Sequence, residues 1–540
     1  MSDPNSKSSA PGAPASLLRL LNAGHGTIPE AMTARTALTP DRPFLHWERH
    51  TWTYREAVAM AHGVGGYFRK MTTPDRPRVA TFLGNCPEAM WTWLGAMFSG
   101  KVLVPINRKH RGTLLADMLS RSGASLLVTD ATALNEIAPE LLAAFEAVVI
   151  VGDLPVEPTP SMKWERIAPF QEAQCDGMSR WAPIRSSDVA CVMFTSGTTG
   201  RSKAVPILHN QYVRGAARLV DAYQLTADDV FHNWLPLFHL AGQLHMTMTA
   251  ILCGGAVALQ PTFSVSRFWE EIELHGCSVL CGFASILHFI ESLPPRVQDA
   301  ASSLRVGIFA GIPPTLHDRF ERRFGMRLDE NYGMTEIDPI TYPEPGVEPP
   351  EASCGRPSAD VELAIVDDND QLLPAGQLGE IVVRPRAPDV LTPGYDGDER
   401  ASMRTFRNLW FHTGDFGALD DRGFLYFKGR AEHYIRRRGE NVSVAELEAI
   451  ILTHTAISEC AAVGVASELG EEDIKIVVAL HPGCTISAAE LWDYAAARMA
   501  AFMRPRYIEF VGQLPRGELG KVRISDLRQL SERTWGADIR

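Results

Sequence analysis

The stretch Val189-Ala-Cys-Val-Met-Phe-Thr-Ser-Gly-Thr-Thr-Gly-Arg-Ser-Lys203 joins an apolar run to a loop of hydroxyls and glycines. Glycines let the backbone turn tightly, so that successive N–H groups and hydroxyls can converge on one anion. Here Gly197 and Gly200 supply the turn, Thr195, Ser196, Thr198 and Thr199 supply hydroxyls, and Lys203 adds a full positive charge. That combination reads as a phosphate-binding loop. It is not the Walker A pattern, because Arg201 and Ser202 follow Gly200, and Ala204 follows Lys203. Taken alone, the same residues also fit a solvated Ser/Thr/Gly surface loop.

Outward from this loop, helical and β-rich patterns alternate. Helical patterns at 58–71 and 89–100 lie among apolar runs at 79–84, 102–106, 125–130 and 147–152. A second series has β-rich runs at 256–260, 277–283 and 303–311. Such alternation predicts an α/β fold with parallel sheets. After about residue 355 short strands follow closely, at 361–367, 379–385 and 410–430, with Asp420-Asp-Arg-Gly423 as a hairpin turn. They predict an antiparallel sheet or small β-barrel. The last hundred or so residues carry a helix at 444–454, strands at 460–465 and 474–481, and a helix at 488–500. The expected organisation is a Ser/Pro/Ala-rich flexible tail (1–16), a large multi-subdomain N-terminal domain (17–430) and a smaller α+β C-terminal domain (431–540).

The chain has 540 residues, 45% hydrophobic and 21% charged, the balance of a globular protein. Its 52 Lys+Arg against 64 Asp+Glu leave a net charge of −12, which argues against a nucleic-acid partner bound through phosphate neutralisation. No apolar run approaches the roughly 18 residues of a membrane span. The N-terminus has no hydrophobic signal segment. Nine scattered cysteines make no disulfide framework, and Cys277 with Cys281 lacks a second pair at zinc-site spacing. The expectation is a cytoplasmic protein with buried thiols.

Six further segments, in four groups, carry chemistry in a fixed order: Ala310-Gly-Ile-Pro313 with Asn331-Tyr-Gly-Met-Thr-Glu336, then His412-Thr-Gly-Asp415 with Lys428-Gly-Arg430, then Arg436-Arg-Arg-Gly-Glu-Asn-Val-Ser443, and last Pro515-Arg-Gly-Glu-Leu-Gly-Lys521. Together with 194–203 they resemble the motifs of the adenylate-forming superfamily, which includes acyl- and aryl-CoA synthetases, peptide-synthetase adenylation domains and beetle luciferases. The resemblance runs from about residue 40 to 530. The wording around Arg436–Ser443 is most similar to CoA ligases of the crotonobetaine/carnitine type.

The resemblance implies that Tyr332 stacks on adenine, with Asn331, Gly333 and Met334 beside it and Gly311 and Ile312 lining the adenine and acyl sites. It places the Thr335 hydroxyl on the α-phosphate and makes Glu336 an oxygen ligand for Mg²⁺. Asp415 would accept hydrogen bonds from the ribose hydroxyls, with Arg430 reaching the sugar or a phosphate. Lys521 would stabilise the charge that develops as a carboxylate attacks ATP. The C-terminal domain of relatives rotates for the thioester step, which would bring Arg438 and Gly439, with Arg436, to coenzyme A; a solvated charge run is the other reading of those arginines. Two positions depart from the family pattern. Glu432 stands where the hinge is usually Asp or Lys, and Arg438 replaces the first Gly of a common Gly-Gly pair.

His239, in Trp234-Leu-Pro-Leu-Phe-His239, stands where peptide-synthetase domains commonly have an Asp for the substrate ammonium, so an α-amino acid is disfavoured. The acyl pocket is expected among His239, Gln243, Phe283, Met334 and Ile337, with small Ala241, Gly242, Gly282 and Ala284 leaving room for a bulky or branched acid. The implied reaction is carboxylate plus MgATP to acyl-AMP, then thioester formation with coenzyme A. Transfer to an amine or a carrier-protein thiol, and a nucleotide-binding protein without catalysis, stay open. A homodimer also stays open.

Overall fold

The computed structural model describes residues 26–71, 77–152, 163–167, 183–195, 202–312, 314–430, 434–437, 440–466, 472–499, 503–516, 522–531 and 534–536. They fall into two compact units. One takes the described parts of Met1–Ala364, Val382–Phe411 and Leu419–Tyr426; the other takes those of Ile365–Ile381, His412–Ala418 and Phe427–Arg540.

The first unit is built on two seven-stranded sheets. In one the strands run, edge to edge, Lys163–Ile167, Ala147–Val151, Leu126–Asp130, Arg78–Phe82, Val102–Pro105, Val189–Thr195 and Lys203–Leu208. In the other they run Arg327–Glu330, Val306–Ala310, Val279–Phe283, Val230–Asn233, Ala256–Leu259, Pro43–Trp47 and His50–Thr53. Every neighbouring pair is parallel except the last in each sheet. Parallel strands covered on both faces read as continuous apolar runs, which is why the short Val/Ala/Leu stretches were legible.

Apart from Glu88 in its first turn, the helix Pro87–Phe98 is buried, as expected of a helix apolar on nearly every side. It packs on Tyr54–Met71 so closely that a Cβ on Gly95 would stand 2.5 Å from Val64 Cγ1. Side chains from both sheets join this helix pair in one core, with Trp91 and Trp93 among its largest members. The hairpin Pro43–Trp47/His50–Thr53 was not foreseen, since its second strand is exposed and lacks an apolar signature. Nor was the π-helix Gly242–Met248, whose composition is that of an ordinary helix.

Beyond the sheets, Tyr332–Met334, Ile337–Tyr342 and Arg356–Pro357 form a small sheet, and the stretch expected to be an antiparallel sheet or barrel forms a five-stranded one. Asp420-Asp-Arg-Gly423 is a tight turn as expected, with Gly423 N–H donating to the Asp420 carbonyl at 2.9 Å. In the second unit Ile457–Ala466, Glu472–Leu480, Tyr507–Val511 and Trp535–Gly536 form a sheet packed on Val444–Leu452 and Ala488–Ala496. Among the described residues no helix is long and apolar enough to cross a membrane.

Candidate active site

Val189–Thr195 and Lys203–Leu208 are antiparallel partners, with Thr195 opposite Lys203, so the glycine-rich loop leaves and rejoins one sheet edge. The Thr195 hydroxyl donates to the Lys203 carbonyl at 3.5 Å. Ser196, Gly197, Thr198, Thr199 and Gly200 lie outside the described residues. The Lys203 ammonium sits 3.3 Å from the Tyr395 hydroxyl and 4.4 Å from its ring centroid. That hydroxyl in turn donates to Glu336 Oε1 at 3.0 Å. Tyr395 is held to the loop stem by the Asp396 N–H, which donates to the Ala204 carbonyl at 2.9 Å.

Glu336 reaches this place because of a hairpin. Met334 pairs with Ile337, which makes Thr335 and Glu336 the two turn residues. The Glu336 carbonyl accepts from Gln211 Nε2 at 2.8 Å and from the Thr392 N–H at 2.9 Å, so the tip is fixed from two sides. Upstream, the Glu330 carboxylate accepts from the Ile312 N–H at 2.8 Å and the Gly311 N–H at 3.3 Å, tying the 310–312 turn to the 331–336 hairpin. Burial raises the Glu330 pKa, against the pull of these two donors.

These residues fit an adenine nucleotide. Asn331 Nδ2 is a buried donor with no partner among the described residues, and such a group calls for an acceptor from elsewhere. For a divalent cation, no group of three or more His, Cys, Asp or Glu side chains is present among the described residues. A lone Glu336 suits Mg²⁺, which takes one or two carboxylates and completes its shell from phosphates and water.

The 234–239 segment is positioned by Asn85. Its side chain donates to the carbonyls of Leu235 and Gln260, both at 3.0 Å, and accepts from the Leu237 N–H at 2.9 Å. His239 is exposed, and its Nδ1 accepts the Ala241 N–H at 3.3 Å. Desolvation, reinforced by the charge of His245, holds its pKa below the ordinary histidine value against the attraction of Asp338. Phe283 is half exposed and Met334 partly so, as pocket-lining residues would be.

Other acyl-pocket expectations are corrected. Gln243 is fully buried, accepting from Tyr212 OH at 2.5 Å and donating to the Leu237 carbonyl at 2.6 Å, so its amide is structural. Ile337 is 2% exposed and belongs to the core. Gly242 leaves no space, since a Cβ there would stand 2.6 Å from the Pro236 carbonyl oxygen. Sequence reading also missed His245. It lies on the π-helix, a distortion common at functional sites, and its Nε2 is 3.0 Å from Asp338 Oδ2. Burial would lower its pKa, but the Asp338 charge and hydrogen bond together raise it well above the ordinary value.

In the second unit, Asp415 is 4% exposed on Trp410–Leu419. Its N–H donates to the Thr413 hydroxyl at 3.0 Å, and that hydroxyl donates to the Ile381 carbonyl at 2.7 Å. Glu380 braces the turn, accepting from the Gly414 N–H at 3.1 Å and lying 2.9 Å from His412 Nδ1. Gly414 has φ 72°, a conformation glycine adopts without strain. Arg430 ends the strand Leu425–Arg430. Arg438, Gly439 and Lys521 lie outside the described residues. Tyr395, Gln211, Glu330, Asn85 and Glu380 were also missed. Each acts on a segment remote in sequence, and only Tyr395, after Pro393-Gly394, carried even a turn signal.

A two-sheet α/β unit with a phosphate-type loop, a carboxylate at a hairpin tip and a separate small α+β unit defines an adenylate-forming enzyme. The chain belongs to the AMP-binding enzyme family, whose model matches residues 32–395, with the AMP-binding enzyme C-terminal domain matching residues 446–521. It is 33% identical over 460 residues to a crotonobetaine/carnitine–CoA ligase of Salmonella paratyphi B, covering 84% of this chain and 88% of that one. The like-named protein of Escherichia coli O9:H4 is 33% identical over 496 residues, 88% of this chain and 93% of the relative. Among solved structures, ATP-bound MatB from Rhodopseudomonas palustris superposes with TM-score 0.78 at 23% identity, over 93% of this chain and 98% of that one. O-succinylbenzoate coenzyme A synthetase (MenE) from Bacillus subtilis, in complex with ATP and magnesium, gives TM-score 0.75 at 25% identity, over 92% and 99%. The protein is therefore an AMP-forming acid–thiol ligase.

Proposed function

We propose that the protein activates a small carboxylic acid with MgATP and passes the acyl group to coenzyme A. A carboxylate oxygen attacks the α-phosphorus, the bond to pyrophosphate breaks, and acyl-AMP forms. The thiol sulfur then attacks the acyl carbon and AMP leaves. Dividing one difficult condensation into two displacements lowers each barrier. The observation that carries the reading is the chain Lys203–Tyr395–Glu336, which sets an ammonium, a phenol and a carboxylate at one hairpin tip beside the loop stem.

In this reading Glu336 holds Mg²⁺, which offsets phosphate charge. Thr335 and the loop residues 195–200 with Lys203 bind the phosphates, Tyr332 with Asn331, Gly311 and Ile312 receives adenine, and Asp415 with Arg430 receives ribose. Lys521 supplies the charge for adenylation, and Arg438 with Gly439 meets coenzyme A after rotation of residues 431–540 against 17–430. His239 faces the acyl group. The two matched family segments, which end at residue 395 and resume at 446, support a join between them. We place the protein in the cytoplasm; sedimentation would read whether it is a homodimer.

The test is a panel of acids with ATP and either coenzyme A or amines, read by pyrophosphate release and product mass. Acid-dependent pyrophosphate release with an acyl-CoA product is expected. Amide products would reassign the acceptor. No acid-dependent release across the panel would leave a nucleotide-binding protein without catalysis.

A further inference from the structure

Gln211 joins the stem of the glycine-rich loop to the hairpin tip. The strand Lys203–Leu208 carries Lys203 at its start, and the helix His209–Ala222 follows it directly. The Gln211 side chain is buried and uses both ends of its amide. Its Oε1 accepts the Leu208 N–H at 2.8 Å, and its Nε2 donates to the Glu336 carbonyl at 2.8 Å. The amide has one orientation that satisfies both partners, because an N–H needs an acceptor and a carbonyl needs a donor.

The bond to Leu208 is an ordinary one. A Gln or Glu in the first turn of a helix commonly accepts the N–H of the residue before the helix, as one half of a capping box. For that task Glu serves as well as Gln, and its negative charge suits a helix N-terminus better. The donor on Nε2 is what the amide adds, and it goes to a residue 125 positions away in sequence. The Thr392 N–H is the other donor to that carbonyl, and it is a backbone group that no side-chain substitution removes. Further along the helix, a Cβ on Gly215 would stand 2.4 Å from the Asp338 carbonyl oxygen. The helix that leaves the loop stem therefore lies against the hairpin backbone, and Gln211 makes its contact at the tip.

We infer that Gln211 is a positioning residue for adenylation: its amide NH₂ sets the Glu336 backbone, and through it the Glu336 carboxylate, relative to the strand that carries Lys203. The inference rests on the ligase reading above, in which Glu336 holds Mg²⁺, and adds the side chain that aims it.

Gln211→Glu separates the two bonds. An ionised carboxylate keeps the Leu208 N–H but has no hydrogen for the Glu336 carbonyl, whereas a protonated carboxyl serves both. Burial raises a carboxyl pKa above its usual value of about 4.3, so the variant regains the donor as pH falls. The charged groups around it are Arg214, Arg218, Asp338 and Asp360, which line one small cavity with Gln211, and Glu336. The wild type has all of them, so the ratio of variant to wild type isolates residue 211.

Two quantities are measured across pH: the Mg²⁺ dependence of acid-dependent ATP–pyrophosphate exchange, and ATP affinity by calorimetry with and without Mg²⁺. In alkaline solution Gln211→Glu should need about tenfold more Mg²⁺ for half-maximal exchange and lose a similar factor of the gain in ATP affinity that Mg²⁺ brings, the scale of removing a group behind a metal ligand. Both ratios should return towards unity as pH falls, and ATP affinity without Mg²⁺ should match the wild type. Gln211→Met, unbranched and without either bond, should show the loss at every pH. A ratio that does not change with pH in Gln211→Glu, or a wild-type Mg²⁺ dependence in Gln211→Met, overturns the inference. A lower melting temperature with both quantities unchanged also overturns it, since the amide would then be structural only. No acid-dependent exchange from the wild type with any acid overturns the ligase reading, whereas a Mg²⁺-linked gain in ATP affinity that Gln211→Glu leaves intact overturns the inference alone.

Discussion

Glu336 and Asp338 sit two residues apart on one hairpin, and the protein surrounds them differently. At Glu336, Tyr395 donates to a carboxylate oxygen at 3.0 Å and in turn accepts from Lys203 at 3.3 Å. Asp338 meets its imidazole partner directly, at 3.0 Å. A hydrogen bond from a neutral hydroxyl orients a carboxylate, whereas a charged imidazole offsets its charge. In the proposed reading Glu336 serves the nucleotide, while Asp338 pairs with an imidazole inside the fold.

The largest expected effect concerns the nucleotide side. Lys521→Ala should lower acid-dependent ATP–pyrophosphate exchange by about 100-fold or more, the scale of losing one preorganised charge at a developing anion. Unchanged exchange would remove Lys521 from adenylation. Glu336→Gln should cost about 100-fold and shift the Mg²⁺ dependence to higher concentration. If Glu336→Gln instead altered only the choice among acids, the division between the two carboxylates would collapse. Tyr395→Phe removes the hydroxyl that joins Lys203 to Glu336, and about a tenfold loss in kcat is expected with KM for the acid little changed.

Smaller effects concern Asp338 and its surroundings. Gly333→Ala would push a methyl into Asp338 Oδ1, so we expect about 1–3 kcal/mol of lost stability in denaturant titration. The smallest effect is a pH slope. His245 has a raised folded-state pKa, so its contribution to stability is complete below the unfolded value near 6.5 and fades as pH rises through the folded one. His209 has the opposite sign. Burial lowers its pKa to about 4, and its Nδ1 accepts the Ile28 N–H at 3.4 Å, which requires that nitrogen unprotonated. Its contribution is therefore complete above about 6.5 and is lost as pH falls towards about 4. Melting temperatures across pH should flatten on the alkaline side in His245→Gln and on the acid side in His209→Gln.

Much of the fold was legible because its signals are local. Short apolar runs such as Ala147–Val151 and Val279–Phe283 became parallel strands, and Ala488–Ala496 formed behind the Ser487/Glu490 capping box. The Thr335-Glu336 turn is contiguous in the chain, and the structure forms it as one. The acyl pocket was not. Gln243 looked like a lining residue and proved to be a buried brace, while His245, six residues past His239, gave no signal at all.

The sequence by itself determined the alternation of strands and helices and the family, because backbone propensity and contiguous motifs act over a few residues. Tertiary structure alone decided which side chains those motifs meet. Tyr395 reaches Glu336 across 59 residues, Asp338 reaches His245 across 93, and Asn85 fixes Leu237 across 152. Contacts of that span are set by how sheets and helices pack, and packing fixes the distance and burial on which the charge of each carboxylate depends.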